Sequence, residues 1–246
     1  MISIMRLIHN LKGKIIIVFF LNLILIHCSI FQSPVSTYPE GIIFPVEIET
    51  RFNYEGEIIQ NIKKRNDSLF FSTRNGTVFC INGKEQKLTW RFKAPEPLVS
   101  PVYLGSKEVY VYSESSLFCI DSEGELIWKK KVPEKITSGI GVNKDKVYLG
   151  TKEGKFYSLA ALNGKEIWHF KARKGIRTTP VFWNNQIIFG CDDFCLYFVS
   201  EKGQIIDQLK VKGEIRSSPL IGEGDVYFGT NDHFFYCVDL KQRYVK

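Results

Sequence analysis

Val147-Tyr148-Leu149-Gly150, Ile187-Ile188-Phe189-Gly190 and Val226-Tyr227-Phe228-Gly229 are variants of one short segment that returns about every 39 residues. Leu69-Phe70-Phe71-Ser72 and Val109-Tyr110-Val111-Tyr112 hold the same register in two earlier copies. A second column runs through Phe79-Cys80-Ile81, Phe118-Cys119-Ile120, Tyr157-Ser158-Leu159, Tyr197-Phe198-Val199 and Tyr236-Cys237-Val238. A third holds Trp90, Trp128 and Trp168, spaced 38 and 40 residues apart. Short aromatic and β-branched runs between polar turns are strands.

One copy, residues 173–211, shows how the repeat is built. Arg177 to Trp183 alternates and forms a first strand, with a turn at Asn184-Asn185. Gln186 to Gly190, Cys195 to Ser200 and Gln204 to Val211 supply three more. Four antiparallel strands cannot bury both faces alone, so copies must stack face to face. The expected fold is all-β, a β-propeller of about five blades over 47–246, with repeats at 51–90, 91–128, 129–168, 169–207 and 208–246. Trp90, Trp128 and Trp168 sit on the outer strand, where a wide ring covers the joint with a neighbour, and Gly150, Gly190 and Gly229 end the second strand. The fourth copy has Asp207 at the Trp position, and the fifth stops where its outer strand begins. Arg51-Phe52-Asn53 mimics Arg91-Phe92-Lys93, so an N-terminal outer strand, Glu47 to Asn53, is expected to close the ring on the last blade. The aromatic run Phe234-Phe235-Tyr236 falls on a third strand and reads as core.

Formal charge is +7, and Arg6, Lys12 and Lys14 all precede Cys28 with no acid among them, leaving +4 for the rest. That balance, without a recognised motif, gives no case for nucleic acid. Residues 1–27 read as an export signal, charged at the start and apolar from Ile15 to Ile26, shorter than a membrane span. Leu25-Ile26-His27-Cys28 resembles the lipobox of bacterial lipoproteins, although His27 replaces the usual small residue. Cys28 is therefore the expected lipidation site and 28–46 the tether, with a conventionally cleaved signal or a short uncleaved anchor as alternatives.

Of the five cysteines after Cys28, Cys80, Cys119 and Cys237 share one repeat column and fill a small buried slot. Cys191 and Cys195 flank a tight hairpin, where they are read as unpaired, with a disulfide or a metal as the alternatives; their spacing fits no standard zinc pattern.

The repeats resemble the pyrroloquinoline-quinone (PQQ) type propeller repeat. The matching segments are Ser100-Pro101, Thr179-Pro180 and Ser218-Pro219, then Tyr148 to Gly150 and Tyr227 to Gly229, then Gly164-Lys165-Glu166-Ile167-Trp168 and Gly124-Glu125-Leu126-Ile127-Trp128. The resemblance admits a quinoprotein dehydrogenase, but this chain lacks the length and the adjacent cysteine pair of those enzymes. His169 and His233, its only histidines beyond Cys28, stand in no catalytic constellation. No catalytic residue, metal or cofactor is expected, and PQQ binding is disfavoured. The organisation is similar to that of the propeller lipoproteins of outer-membrane β-barrel assembly. It implies a scaffold held to a membrane by lipid, with an envelope or outer-membrane protein as partner; a small-ligand binder, for a sugar or a peptide, is the alternative.

In such a meander the turn between strands two and three shares a face with the link between blades. That face carries Arg173-Lys174-Gly175-Ile176-Arg177 and Lys212-Gly213-Glu214-Ile215-Arg216. Arg177 and Arg216 are read at the repeat position held by Leu98 and Ile136 in other blades, which puts charge at the channel mouth. Arg173, Lys174, Arg177, Lys212 and Arg216 are thus the candidate binding residues, suited to carboxylates or phosphates. The competing reading is that the guanidinium groups pair with Glu214, Asp192 or Asp193 on the same rim.

Overall fold

Alternating apolar residues in strands of two to seven, cut by turns that need positive φ, leave this chain little choice but short antiparallel hairpins. The structure, a computed structural model, describes residues 53–246. Five sheets follow one another along the sequence, four of four strands and a last one of three, each a simple meander. No helix occurs among the described residues. The expected signal, Cys28 and the tether lie outside them, as does the closing strand apart from Asn53.

Blade 4 is representative: Val181–Trp183, Gln186–Gly190, Cys195–Ser200 and Ile205–Lys210. Its first strand begins later than the alternation suggests. Pro180 has no N–H for a ladder. Thr178 Oγ1 takes over instead, accepting the Gly190 N–H at 2.9 Å. Ser100, Ser138 and Ser217 do the same for Tyr112, Gly150 and Gly229 at 2.7, 2.6 and 2.6 Å. A column of hydroxyls thus replaces ladder bonds where blades 2 to 5 enter.

Successive blades meet through alternate side chains of their second and third strands. One face of blade 3 (Tyr148, Phe156) packs on Ile187, Phe189 and Tyr197 of blade 4, and Ile188, Leu196 and Phe198 of blade 4 pack on Val226, Phe228 and Val238 of blade 5. At the centre of the first of these joints Phe156 and Phe189 stack with centroids 4.1 Å apart.

The outer edge of each joint is a clasp. Trp90, Trp128 and Trp168 lie on Gly124, Gly164 and Gly203 of the following blade. Their indole N–H groups donate to the carbonyls of Ser122, Ala161 and Glu201 at 2.8, 2.7 and 2.9 Å. Each of these glycines has positive φ, and a Cβ at Gly164 would come within 2.6 Å of the Trp128 ring. Opposite the tryptophans stand the small residues Cys80, Cys119 and Ser158, and the ladder shifts register immediately after each. That bulge twists the outer strand. Cys80 and Cys119 are therefore the slot that the neighbouring indole requires, whereas Cys237, in the same column of blade 5, is half-buried and faces no indole. In blade 4, where Asp207 replaces Trp, the opposite residue is the large Phe198. The clasp is reversed there: Arg243 of blade 5, at φ 61°, lays its guanidinium 3.7 Å from the Phe198 ring centroid and donates to the Gln186 side chain. Burial lowers the pKa of Arg243.

Blade 5 lacks a full outer strand. Val245 bridges to Val238, and the Lys246 N–H reaches the Cys237 carbonyl at 2.8 Å. Its far face is bare among the described residues. Phe235 is 73% exposed and Leu220 68%, whereas Leu196, the blade 4 equivalent of Phe235, is fully buried. The aromatic run expected in the core is therefore divided, Tyr236 facing blade 4 while Phe234 and Phe235 face outward. A Cβ at Gly150 or Gly190 would meet Ile176 or Ile215 at 2.5 or 2.2 Å, but at Gly229 nothing lies closer than 3.5 Å. The two buried glycines make room for the next link; beside Gly229 no link lies among the described residues.

Trp128→Ala should cost about 3 kcal/mol in urea unfolding, the loss of a large buried ring. Gly164→Ala should also destabilise, and less so in the Trp128→Ala background, because the steric part of its cost disappears with the indole; equal costs in both backgrounds would refute the clasp.

Candidate functional site

Links between blades and the turns between second and third strands lie on one face, joined by backbone bonds such as Lys152 N–H to the Lys135 carbonyl and Asp192 N–H to the Gly175 carbonyl, both 2.9 Å. The residues named from sequence meet here, with one correction of register. Leu98, Ile136, Ile176 and Ile215 are the equivalent residues, all buried at 2% exposure or less. Arg177 and Arg216 are one place further on, level with Val99 and Thr137, where the backbone already faces out. Two arginines in tandem repeats therefore replace exposed residues, at no cost in burial.

Both arginines converge on one acid. Arg177 Nε donates to Asp192 Oδ2 at 2.8 Å, Arg216 Nε reaches Oδ1 at 3.3 Å, and Arg216 Nη2 pairs with Glu214 at 2.8 Å. Asp192 is 6% exposed, so this is a buried carboxylate held by two cations rather than a rim charge.

Elsewhere on the rim three acids pair with lysines of the same chain. Glu96 meets Lys129 at 2.6 Å, Glu134 meets Lys155 at 2.7 Å, and Glu114 meets Lys135 at 2.5 Å. Tyr157 also donates to Glu134 at 2.8 Å. At the link into blade 4 the pattern inverts: counted from the buried isoleucine, Lys174 stands where Glu96 and Glu134 stand in earlier links. Arg173, Lys174, Lys210 and Lys212 make no ion pair with described residues.

Three of these cations border a cavity of 390 Å³ with Asp193, Phe194 and Tyr197. Its one carboxylate is engaged inward: Asp193 accepts from Tyr197 Oη at 2.6 Å and from the N–H groups of Cys195 and Arg173 at 3.2 and 3.3 Å. Lys174 Nζ sits 4.9 Å from the Phe194 ring centroid. Lys210, Phe194 and Tyr197 were not singled out in the sequence, where Lys210 reads as the exposed end of an outer strand.

Cys191 and Cys195 are free thiols in the structure. Cys191 Sγ points to the carbonyls of Lys174 and Gly175 at 3.4 Å, and Cys195 Sγ to that of Asp193. Burial pushes both thiols up, Cys191 the further. No group of three or more metal-binding side chains occurs among the described residues.

The fold is that of a β-propeller of face-packed blades, and its Ser-Pro, Tyr-x-Gly and Gly-x-x-x-Trp columns resemble PQQ-type repeats. Residues 113–214 match the family described as outer membrane protein assembly factor BamB, a span that includes the cavity and Asp192. Among solved structures the chain is similar to BamB from Moraxella catarrhalis, with a TM-score of 0.69 and 16% identity over 76% of this chain and 59% of that one. It is similar as well to the computationally designed protein Ika8, with a TM-score of 0.67 and 14% identity over 76% and 60%. At these identities the likeness is one of fold, and this chain spans about three-fifths of each. No curated protein matches. Residues 113–214 thus match the family of the assembly factor, and the fold of the described residues is similar to that of its propeller.

Two solution measurements check the rim. Burial pushes the Glu134 carboxyl up, but the bonds from Lys155 and Tyr157 outweigh this, and its pKa falls below the ordinary 4.5. A depressed carboxylate stabilises above its unfolded value and ceases to do so as pH drops through its folded one. Glu134→Gln should therefore lower the thermal midpoint at about pH 7 and leave it unchanged at about pH 2. In native protein, maleimide should label Cys195 well before Cys191, faster at alkaline pH, with no reductant needed; labelling only after reduction would establish a disulfide.

Proposed function

We propose that this chain is a non-enzymatic scaffold of the cell envelope, tethered by lipid at Cys28, that holds another envelope protein on its loop face in outer-membrane protein assembly. The observation that carries the reading is the link into blades 4 and 5, where Arg173, Lys174, Lys210 and Lys212 stand without acidic partners, whereas Glu96, Glu114 and Glu134 on the other links and turns are each paired with a lysine. Arg177 and Arg216 act here by holding Asp192 and the rim's shape, and their remaining guanidinium N–H groups are available to the partner. The likeness to an assembly factor is consistent with this reading. The cavity favours a second reading, recognition of a small acidic ligand on the same face.

Tagged full-length protein from detergent-solubilised envelope should capture a membrane or barrel protein in stoichiometric amount. Capture should fall by about tenfold when Arg173 and Lys212 are both reversed to Glu, the effect of two lost charge pairs at a partly exposed interface. A partnerless propeller would overturn the scaffold in favour of the small-ligand reading, and dye-linked dehydrogenase activity would overturn the non-enzymatic assignment.

A further inference from the structure

We infer that the cavity beside blade 4 is a seat for the carboxylate side chains of an acidic peptide segment. The inference rests on the reading of the loop face as the partner-binding face and names what that face recognises.

The chain itself contains the precedent. In blade 3, Glu134 from the preceding link lies against Lys155 and the hydroxyl of Tyr157, at 2.7 and 2.8 Å. In blade 4 the same tyrosine recurs as Tyr197, but the link residue in the place of Glu134 is Lys174. The tyrosine hydroxyl there is taken by Asp193 of the adjoining turn, and the link position that held a carboxylate now holds a cation. Arg173 and Lys174 from the link and Lys210 from the outer strand then surround a space of 390 Å³. The one acid there, Asp193, directs its oxygens to Tyr197 and to two backbone N–H groups and pairs with none of the three cations, which still outnumber it. Three cations of one sign around a concave wall favour an anion.

Phe194 gives the wall its shape. It occupies the turn position at which blades 1 and 3 have Gly76 and Gly154, and it keeps the positive φ of those glycines, 73°. A bulky residue in that conformation is strained. The strain keeps an aromatic ring on the cavity wall under Lys174, where the methylene stem of a glutamate would pack while its carboxylate meets the cations. A volume of this size takes side chains, not a folded surface.

The test is fluorescence anisotropy of a fluorescein-labelled hexaglutamate peptide on the full chain in detergent, with hexaglutamine as the neutral probe. Hexaglutamate should bind at least about tenfold tighter, weakening as salt rises. Lys174→Glu and Lys210→Glu should each cost about fivefold or more, whereas Lys131→Glu, at the matching outer-strand position of blade 2, should cost little. Phe194→Gly should weaken binding without lowering the thermal midpoint. Equal affinity for the two peptides would overturn the proposal. So would an equal loss with Lys131→Glu, which would reduce the effect to net charge. Tighter binding to phosphatidylglycerol vesicles than to peptide, abolished by the same variants, would reassign the site to lipid. Capture of a membrane protein without peptide binding would sink the cavity alone; peptide binding without capture would sink the scaffold alone.

Discussion

An indole laid on a glycine of the next blade is the contact from which the rest of this architecture follows. For Trp128 to reach Gly164, the outer strand must twist, and the bulge beside Cys119 supplies the twist. For the ring to lie flat, its cross-strand neighbour must be small, and Cys80, Cys119 and Ser158 are. For the receiving turn to pass beneath it, that turn must adopt positive φ with no Cβ, hence Gly124, Gly164 and Gly203. Three sequence columns that look independent are one steric requirement. The fourth joint confirms the logic by inversion. With Asp207 in place of the indole, the slot fills with Phe198 and the glycine gives way to Arg243, whose guanidinium makes the contact from the other side.

Strands two and three were legible because their side chains alternate between two buried faces, and any joint needs both. Other elements were hidden for identifiable reasons. The late start of the first strand depends on a hydroxyl that substitutes for ladder bonds at Thr178, which alternation does not encode. The register of the links was misread by one residue because repeats of unequal length blur it, and only the packing of Ile176 on Gly150 and Ile215 on Gly190 fixes which residue is buried. Phe235 carries a core residue's chemistry at a core residue's place in the repeat; its exposure reflects the absence of a described neighbour, which its own sequence cannot signal.

The candidate site was half legible. Consecutive basic residues at 173–174 and the paired arginines stand out on inspection, but their fates diverge in three dimensions. Asp192, buried beneath the rim, claims the arginines. The cavity is assembled from a link, a strained hairpin and the tail of an outer strand, so Lys210 joins Arg173 and Lys174 from a distant stretch of ordinary local composition. Charge inversion at one link, Lys174 where Glu134 would be, becomes visible only when the blades are superposed.

Blades joined only to their neighbours behave as a one-dimensional array, in which each unit's stability is its own plus that of the interfaces it shares. An interior blade draws on two such interfaces. Blade 5, with its far side bare and its outer strand barely begun, draws on one among the described residues, and that one is fastened by an arginine in place of the usual indole. Cooperativity is therefore uneven along the chain. Counted over the described residues, the two terminal blades have one interface each, and the C-terminal one is where sub-global opening should begin before blades 2 to 4 yield.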